Sequence, residues 1–579
     1  MLVLLGMEKR DIKRIIFAPS ASLREVIDAL SASTEKQSGL PGGIALVCGK
    51  DGKLVGIATD GDLRRGLARG LSLDAPVSKI ANANPIVIPE SVPLSERAAF
   101  IRAKLLKKGS QKKYVEKAVI VDKRGAPIDV LTTYDIWQTA DSRLKRVGVV
   151  GLGYVGLTLS LTLADLGFSV FGLEKDKKII KNLTAGRPHF HEDGLAELLR
   201  TQMRKNFSVV LDFTGSRSAD VYVIAVGTPL SKGGKPDTSA IVSAAREVGA
   251  SLKRNDLVIL RSTVAVGTTR KFVVPVLEKE SGLVAGDEFL VAFAPERTVE
   301  GKALEELRKL PQVIGGFNHA SAEATAGIFS FLTRSIVTLD SLEEAEMVKL
   351  INNTYRDVSF GFANEIALIA DKWGVNSVKV IKAANFGYER SNVPLPSPGV
   401  GGYCLAKDPQ IFSASGREKG YLPAILTAGR NVNEKMLKHI ASKTIKFLED
   451  KNINLNTASV VLLGIAFKGF PKTSDMRGSQ ALEIASILRK RGIKNIFGFD
   501  TAIPTLEIEK TGLKTMRDFS AIAKRADVIL VMNNNPDFAL YDLKKVLSAR
   551  KKPLLVFDGW SVFSRHELGE LNNVFYLSL

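Results

Sequence analysis

The chain has 579 residues, 45% of them hydrophobic and 25% charged, with a formal net charge of +20. A single core stops growing at about 250–300 residues, so three to four domains are expected. No apolar run approaches the roughly 20 residues of a membrane span. Two cysteines exclude a disulfide framework, and five scattered histidines make no metal-ligand cluster. The N-terminal MLVLLGMEKRDIKR places its basic residues after the apolar patch, the wrong order for a signal peptide. A cytoplasmic, metal-free protein with no membrane partner is expected. Positive charge attracts anions, but Lys and Arg are spread along the whole chain without a zinc-finger, RNP or basic-zipper pattern. Nucleic acid is therefore not expected as a partner, and phosphate-bearing small ligands fit the charge equally well.

Residues 11–140 read as two similar halves. Each has a helical stretch (SLREVIDALSAS, then PLSERAAFIRAKLLKKG), a β-rich run (GIALVCG, KAVIVD) and a turn (KDGKLVG, KRGAPID). Each ends in a Thr-x-x-Asp before another helix, Thr59 to Asp62 and Thr132 to Asp135. Two copies of one unit packed together are expected. The pattern resembles a tandem CBS-domain pair. That resemblance implies a regulatory module in which Thr59, Asp62, Thr132 and Asp135 hold the ribose of an adenine nucleotide. Thr and Asp are also ordinary helix N-caps, which explain the same residues, and a dimerisation module fits equally well.

At DSRLKRVGVVGLGYVGL a new pattern begins. A β-run from Arg146 to Val150 meets Gly151-x-Gly153-x-x-Gly156, and a helix-period segment follows. A second strand, SVFGLE, ends at Glu174. This is the dinucleotide fingerprint in strand–turn–helix context. Gly151 allows the tight turn, Gly153 lets the backbone approach a pyrophosphate, and Gly156 lets helix and strand pack closely. Tyr154 and Val155 open the helix, whose N-terminus offers free N–H donors to phosphate. Glu174 can accept from ribose hydroxyls and repels a 2′-phosphate, so NAD is the expected cofactor.

Further strand-like runs follow in ADVYVIAVGTP, DLVILRSTVAVGTT and EFLVAFAPERTVEG, each ending in small or polar residues as the ligand-bearing edge of a parallel sheet should. Two long helical patterns then form a middle section, SLEEAEMVKLINNTYRDVSFGFANEIALIADKWG and LPAILTAGRNVNEKMLKHIASKTIKFLED. From about Ala458, SVVLLGIAFKG starts a second α/β section without a Gly-x-Gly-x-x-Gly, which suits a different ligand. The expected fold class is α/β: two Rossmann-like doubly wound domains joined by a helical middle domain and preceded by the tandem CBS module. The expected boundaries are 1–143, 144–338, 339–452 and 453–579.

Taken together, GLGYVGL, AVGTP, RSTVAVGTT, APER, AEMVKLINNTYRDVSFGFANEIA, GVGGYCLAKDP and GIAFKGFPKTSDMRGS resemble the nucleotide-sugar 6-dehydrogenases of the UDP-glucose and GDP-mannose dehydrogenase superfamily. The resemblance covers residues 145–579. It implies oxidation of a sugar C6 alcohol to a carboxylate with two NAD per turnover. An aldehyde is a poor second hydride donor unless a nucleophile adds to it, and a thiolate does so readily. The site therefore needs a nucleophile, a cation or amide for the oxyanion, and a carboxylate for protons.

The resemblance assigns Cys404 as the nucleophile. It makes Lys349 and Asn353 oxyanion stabilisers, and their i, i+4 spacing puts them on one helical face. Asp408 and Thr263 are assigned to water positioning or proton movement, and Glu296 to water activation in thioester hydrolysis. Thr228 and Thr263 fall at the cofactor. Glu300, Arg390, Gly401, Gly402, Lys468 and Arg477 fall on the substrate side, beside Lys349 and Asn353. Read without the family, Lys349 and Asn353 would be an exposed helix face, Glu296 a surface partner of Arg297, Thr263 a helix cap, and Cys404 a small buried hydrophobe. Gly401-Gly402 argue that a ligand or backbone comes close to the cysteine loop.

The stretches around Arg390 and PERTVEGKALEEL resemble the N-acetylhexosamine branch, so UDP-N-acetylglucosamine or UDP-N-acetylmannosamine is expected, with UDP-glucose as the alternative. The family implies a homodimer through the long middle helices. A catalytically silent NAD and adenylate sensor is the reading from another class. A hydroxyacyl or hydroxyacid dehydrogenase is a third, although it would need no cysteine.

Overall fold

The structure is a computed structural model that describes residues 12–33, 43–92, 97, 100–101, 104, 117–132, 145–213, 218–231, 234–515 and 518–579. The first section holds two small sheets. One joins β1 (Ile16–Phe17), β2 (Ile44–Cys48) and β3 (Leu54–Thr59); the other joins β4 (Val87–Pro89), β5 (Lys117–Val121) and β6 (Pro127–Thr132). In each, the first pair is parallel and the second antiparallel. A register shift falls at the same place in both, at Val47/Cys48 and at Ile120/Val121. The repeat read from the sequence is thus a repeat of topology. The two units share one apolar interface, in which Ile15, Leu46 and Ile57 meet Val119, Val121 and Val130. Most of PLSERAAFIRAKLLKKG, and Asp135, lie outside the described residues.

The second section is an eight-stranded sheet. Its strands are β7 (Arg146–Val150), β8 (Ser169–Leu173), β9 (Phe207–Val210), β10 (Val221–Ile224), β11 (Leu257–Leu260), β12 (Leu290–Phe293), β13 (Gln312–Gly316) and β14 (Ile336–Leu339), in the order β14-β13-β12-β11-β10-β7-β8-β9. Every neighbouring pair is parallel except β12 and β13. The central strands β10, β11 and β12 are buried at every residue, because helices cover both faces. The C-terminal section is a five-stranded parallel sheet of β15 (Ser459–Leu463), β16 (Asn495–Phe499), β17 (Val528–Val531), β18 (Leu554–Asp558) and β19 (Val574–Ser578), ordered β16-β15-β17-β18-β19.

Two long helices connect these sheets. Leu342–Trp373 starts in a capping box, with Ser341 and Glu344 each accepting from the other's backbone, and stops at Gly374 in the left-handed region (φ 67°). Its first turn is rooted in the larger sheet's core through Leu342 and Ala345. The helix Ala424–Asp450 is rooted in the C-terminal core through Met436, Leu437 and Ile440. The two lie side by side in the same direction, as the pairs Asp357–Arg430 and Asp371–Lys443 show. They meet where Gly361 faces Gly429. A Cβ added at Gly361 would stand 2.8 Å from both the Cα and the carbonyl oxygen of Gly429. Those are backbone atoms, which cannot rotate aside.

Gly361→Ala sets two effects against each other. Alanine gains about 1 kcal/mol of helix propensity over glycine, while overpacking costs about 1–3 kcal/mol. Because the obstacle is backbone, a net loss is expected. The midpoint of thermal unfolding should fall in Gly361→Ala, measured by intrinsic fluorescence; a rise would show that the helices can move apart freely.

Candidate active site

The dinucleotide turn forms as its glycines require. Gly151 sits at φ 90°, in the left-handed region. A Cβ on Gly156 would fall 1.8 Å from the Gly151 carbonyl oxygen, so the helix Tyr154–Asp165 can seat itself on β7 only through glycine. Gly153 precedes that helix with no atom within 4 Å of its virtual Cβ, which leaves its backbone open to a ligand. Glu174 follows β8 and accepts from the Leu152 N–H at 3.0 Å, which brings its carboxylate to the turn. An open helix N-terminus beside an acidic group fits a dinucleotide's pyrophosphate and ribose. Val155 lies in the first turn of the same helix.

The Tyr154 hydroxyl donates to Glu192 and accepts from the Gly301 N–H at 3.0 Å. Burial, and then the Glu192 carboxylate, push that phenol well above its ordinary range. Tyr154 therefore ties the phosphate-binding helix to the loop carrying Glu300. Thr228 donates to the Thr263 carbonyl at 2.5 Å, so these two residues join neighbouring strand ends. The side chain of Thr263 caps no helix.

Cys404 is the second residue of the helix Tyr403–Glu418, which Gly402 precedes at φ 90°. The glycines before it are explained by the C-terminal section. A Cβ on Gly401 would lie 2.4 Å from the Gly478 carbonyl oxygen, and one on Gly402 would lie 2.6 Å from the Phe467 ring. The Gly402 N–H donates to the Gly478 carbonyl at 3.1 Å. What comes close here is the neighbouring section of the protein, so the cysteine's loop is seated against it.

Around Cys404 the expected Lys349, Asn353, Asp408 and Glu300 converge. Lys349 and Asn353 are buried, not an exposed face. Asn353 donates to Asp408 at 2.5 Å, and Asp408 is fully buried. The Lys407 ammonium stands 3.0 Å from the other Asp408 oxygen and lies over the Tyr403 ring. Cys404 as a residue is exposed, while protein atoms crowd around its sulfur. Burial, and then Asp408, push the Cys404 thiol up; Lys349 and Lys407 pull it down. The helix N-terminus adds to the downward pull.

Glu296 is buried, and its pairing is not with the Arg297 side chain. One oxygen takes two bonds from Arg261 (2.8 and 3.2 Å), and the other takes the N–H groups of Arg297 and Thr298 (2.7 and 2.8 Å). Burial alone would raise this carboxyl, but Arg261, the Thr298 N–H and Lys349 hold it below its usual range. Arg261, fully buried and also bonded to Ala294 O and Gln312, is a site residue the sequence reading missed. Its only signal was an arginine at the carboxyl end of a parallel strand, just before Ser-Thr.

Glu300 is raised by burial and then by Asp475. The Lys468 ammonium donates to the Glu300 carbonyl at 2.6 Å. Arg477 pairs with Asp475 at 2.6 Å and stacks on Tyr403, so it reaches the site's edge. Arg390 does not join: it is exposed and lies over the Tyr388 ring. In the N-terminal section, Thr59 and Asp62 form a capping box, with Asp62 accepting from the Thr59 N–H and hydroxyl. Thr132 closes β6.

Three models of the UDP-glucose/GDP-mannose dehydrogenase family match in order: the NAD binding domain over residues 145–333, the central domain over 343–435 and the UDP binding domain over 461–565. A CBS domain model matches residues 10–69. A UDP-N-acetyl-D-mannosamine dehydrogenase from Pyrococcus horikoshii is 32% identical over 428 residues, 73% of this chain and 97% of that one. A solved UDP-D-ManNAc dehydrogenase structure from that organism superposes with a TM-score of 0.68 at 30% identity, covering 75% of this chain and 98% of its own. A UDP-glucose dehydrogenase structure from Pyrobaculum islandicum gives 0.65 at 29%, covering 75% and 97%.

The raised thiol has a direct consequence. Iodoacetamide alkylation of Cys404 is expected to rise with pH along a curve whose midpoint lies above the ordinary thiol value of about 8.5. Lys349→Ala should move it higher still. A midpoint at or below the ordinary value would show that the cations outweigh burial.

Proposed function

This chain belongs to the UDP-glucose/GDP-mannose dehydrogenase family and is an NAD-dependent nucleotide-sugar dehydrogenase; we propose that it oxidises the C6 hydroxyl of a UDP-N-acetylhexosamine, GlcNAc or ManNAc, to a carboxylate through a thioester on Cys404. The observation that carries the reading is the convergence on Cys404 of a buried lysine, an amide held by a buried aspartate, and a glutamate of raised proton affinity, Glu300, with Glu296 of lowered proton affinity beside the lysine. The names of the relatives support a mannosamine epimer, and the family's UDP binding domain supports the nucleotide.

The residues divide the work as follows. Gly151, Gly153 and Glu174 would hold NAD, which when bound would supply the hydride acceptor for each of the two oxidations. The alcohol loses its O–H proton and a hydride to become an aldehyde. The Cys404 thiol loses its proton to the solvent it is exposed to and the sulfur adds to the aldehyde carbon, whose carbonyl π bond breaks to leave an oxyanion facing the Lys349 ammonium and the second Asn353 N–H, the first being held by Asp408. Loss of a second hydride gives the thioester. Water then cleaves the carbon–sulfur bond, releasing the carboxylate and the thiol. A base for that water needs free lone pairs and a raised proton affinity. Glu296 has neither, so Glu300 is the better proton acceptor and Glu296 contributes fixed negative charge. Lys468 and Arg477 suit the diphosphate side.

The same reading includes a homodimer. The long helix Leu342–Trp373 exposes Met347, Ile351, Tyr355, Phe362, Ile369 and Trp373, with Trp373 81% accessible. Spacings of four and seven put them on one face. An apolar stripe of that length on a soluble domain calls for a partner, and a second copy presents the matching stripe. For the N-terminal pair, the adenine nucleotide rests on the CBS domain match alone, since Thr59 and Asp62 are already engaged with each other.

NADH formation on a panel of UDP-sugars tests the activity. UDP-N-acetylmannosamine or UDP-N-acetylglucosamine should yield two NADH per sugar, and Cys404→Ser should make no acid. Repeating the panel with AMP and with ATP reads the N-terminal module. Turnover restricted to UDP-glucose would overturn the sugar assignment, and none with any sugar would overturn the reaction. Phe362→Lys should convert a dimer into a monomer by light scattering; a wild type that elutes as a monomer would refute the interface.

A further inference from the structure

The segment after β11 carries Thr263 and meets three catalytic elements within a few residues. At its start, the Thr263 carbonyl accepts from Thr228 at the cofactor edge (2.5 Å). In the middle, the Val266 N–H donates to Ser415 on the cysteine helix (3.1 Å). At its end, the Gly267 N–H (2.5 Å), the Thr269 N–H (2.8 Å) and the Thr269 hydroxyl (2.6 Å) all donate to one carboxylate, Glu346. Glu346 is 1% exposed. It stands one turn before Lys349 and two before Asn353, so all three share a helix face.

A long helix rich in acids offers many surface positions for a glutamate, and none of them costs desolvation. Burying this one is expensive unless its acceptors are filled, and here three donors from a single loop fill them. We infer that Glu346 is a positioning residue for the reaction: its carboxylate clamps the Thr263 loop to the lysine helix and so fixes the spacing between Thr263 and Lys349. The inference rests on the reading that those two residues act at the substrate.

The clamp is complete only when the carboxylate is ionised. A proton on the oxygen that faces Gly267 would set an O–H against an N–H and break that bond. The other charged groups facing Glu346 are Glu343, one turn earlier on its own helix, and Arg270 on the clamped segment, and these two pair with each other at 2.7 Å. Burial is the main reason the Glu346 carboxyl is pushed up to about 7. The unfolded value is about 4.3, so the native state holds the proton more tightly. Glu346 therefore favours folding below the unfolded value, and that contribution is lost as pH rises from about 4.3 to about 7. At pH 8 the ionised clamp costs stability while it orders the site.

That opposition separates positioning from plain structural support. In Glu346→Gln, the amide nitrogen faces one of the donors at every pH. With the preferred UDP-sugar, kcat at pH 8 should fall about tenfold or more, as expected for a small misplacement of reacting groups, with KM for the sugar within about twofold. The acid limb of kcat should be shallower below about pH 7 in this variant than in the wild type, leaving the limb that the Cys404 thiol sets. The thermal midpoint at pH 8 should be unchanged or higher. Thr269→Val, which removes one of three bonds and keeps the carboxylate, should give a smaller fall and keep the acid limb. The inference is overturned if Glu346→Gln keeps kcat within about twofold and retains the wild type's acid limb, or if kcat falls only alongside a lowered thermal midpoint. A wild type with no turnover on any UDP-sugar overturns the parent reading and this one with it, whereas an active wild type with an indifferent Glu346→Gln overturns this one alone.

Discussion

The 2.5 Å hydrogen bond from Asn353 to the fully buried Asp408 joins the two helices whose relative position makes the site. One helix carries the ammonium and the amide, and the other carries the thiol. Such a bond is worth more than an exposed one because breaking it strands a charged acceptor away from water. A second buried set one turn along, in which Asp357 takes bonds from Arg430 and Asn433, keeps the neighbouring long helix in step. Because that neighbour is rooted in the C-terminal core and its partner in the larger sheet, two buried polar contacts set the relation of both nucleotide-binding sections to the cysteine.

Electrostatics then distinguishes groups of the same type. Glu296 and Glu300 are four residues apart, yet one is lowered and the other raised. The difference is the counter-charge: Arg261 is wholly buried against Glu296, while Glu300 has Asp475 nearby and Arg477 only at 3.8 Å. Pairs of carboxylates driven apart in this way separate the proton-accepting role from the purely ionic one.

Some of this was legible in the sequence and some was not, for physical reasons. Gly151, Gly153 and Gly156 could be read because each is imposed by local backbone geometry, and that leaves a fixed spacing. The helical spans of Lys349 and Asn353 could be read from their period. Burial of those side chains could not, since nothing local tells a polar residue on a helix whether another helix will cover it. Arg261 and Glu346 were invisible for the same reason: their partners lie 35 and about 80 positions away in the chain. Gly401 and Gly402 were recognised as marking a close approach, but whether ligand or protein approaches depends on a loop some 75 residues later, at Gly478. The antiparallel β13 was likewise hidden, because strand direction is set by the connections around a strand more than by its own residues.

The seat beneath Gly402 has one more implication. The first turn of the cysteine helix is in contact with the Phe467 ring and the Gly478 carbonyl, both belonging to the section that receives the nucleotide. A hydrogen bond of 3.1 Å tolerates little lengthening, so the start of that helix cannot part from the Gly478 loop without losing the bond. The surroundings of the Cys404 sulfur are thereby tied to the contact between the two sections.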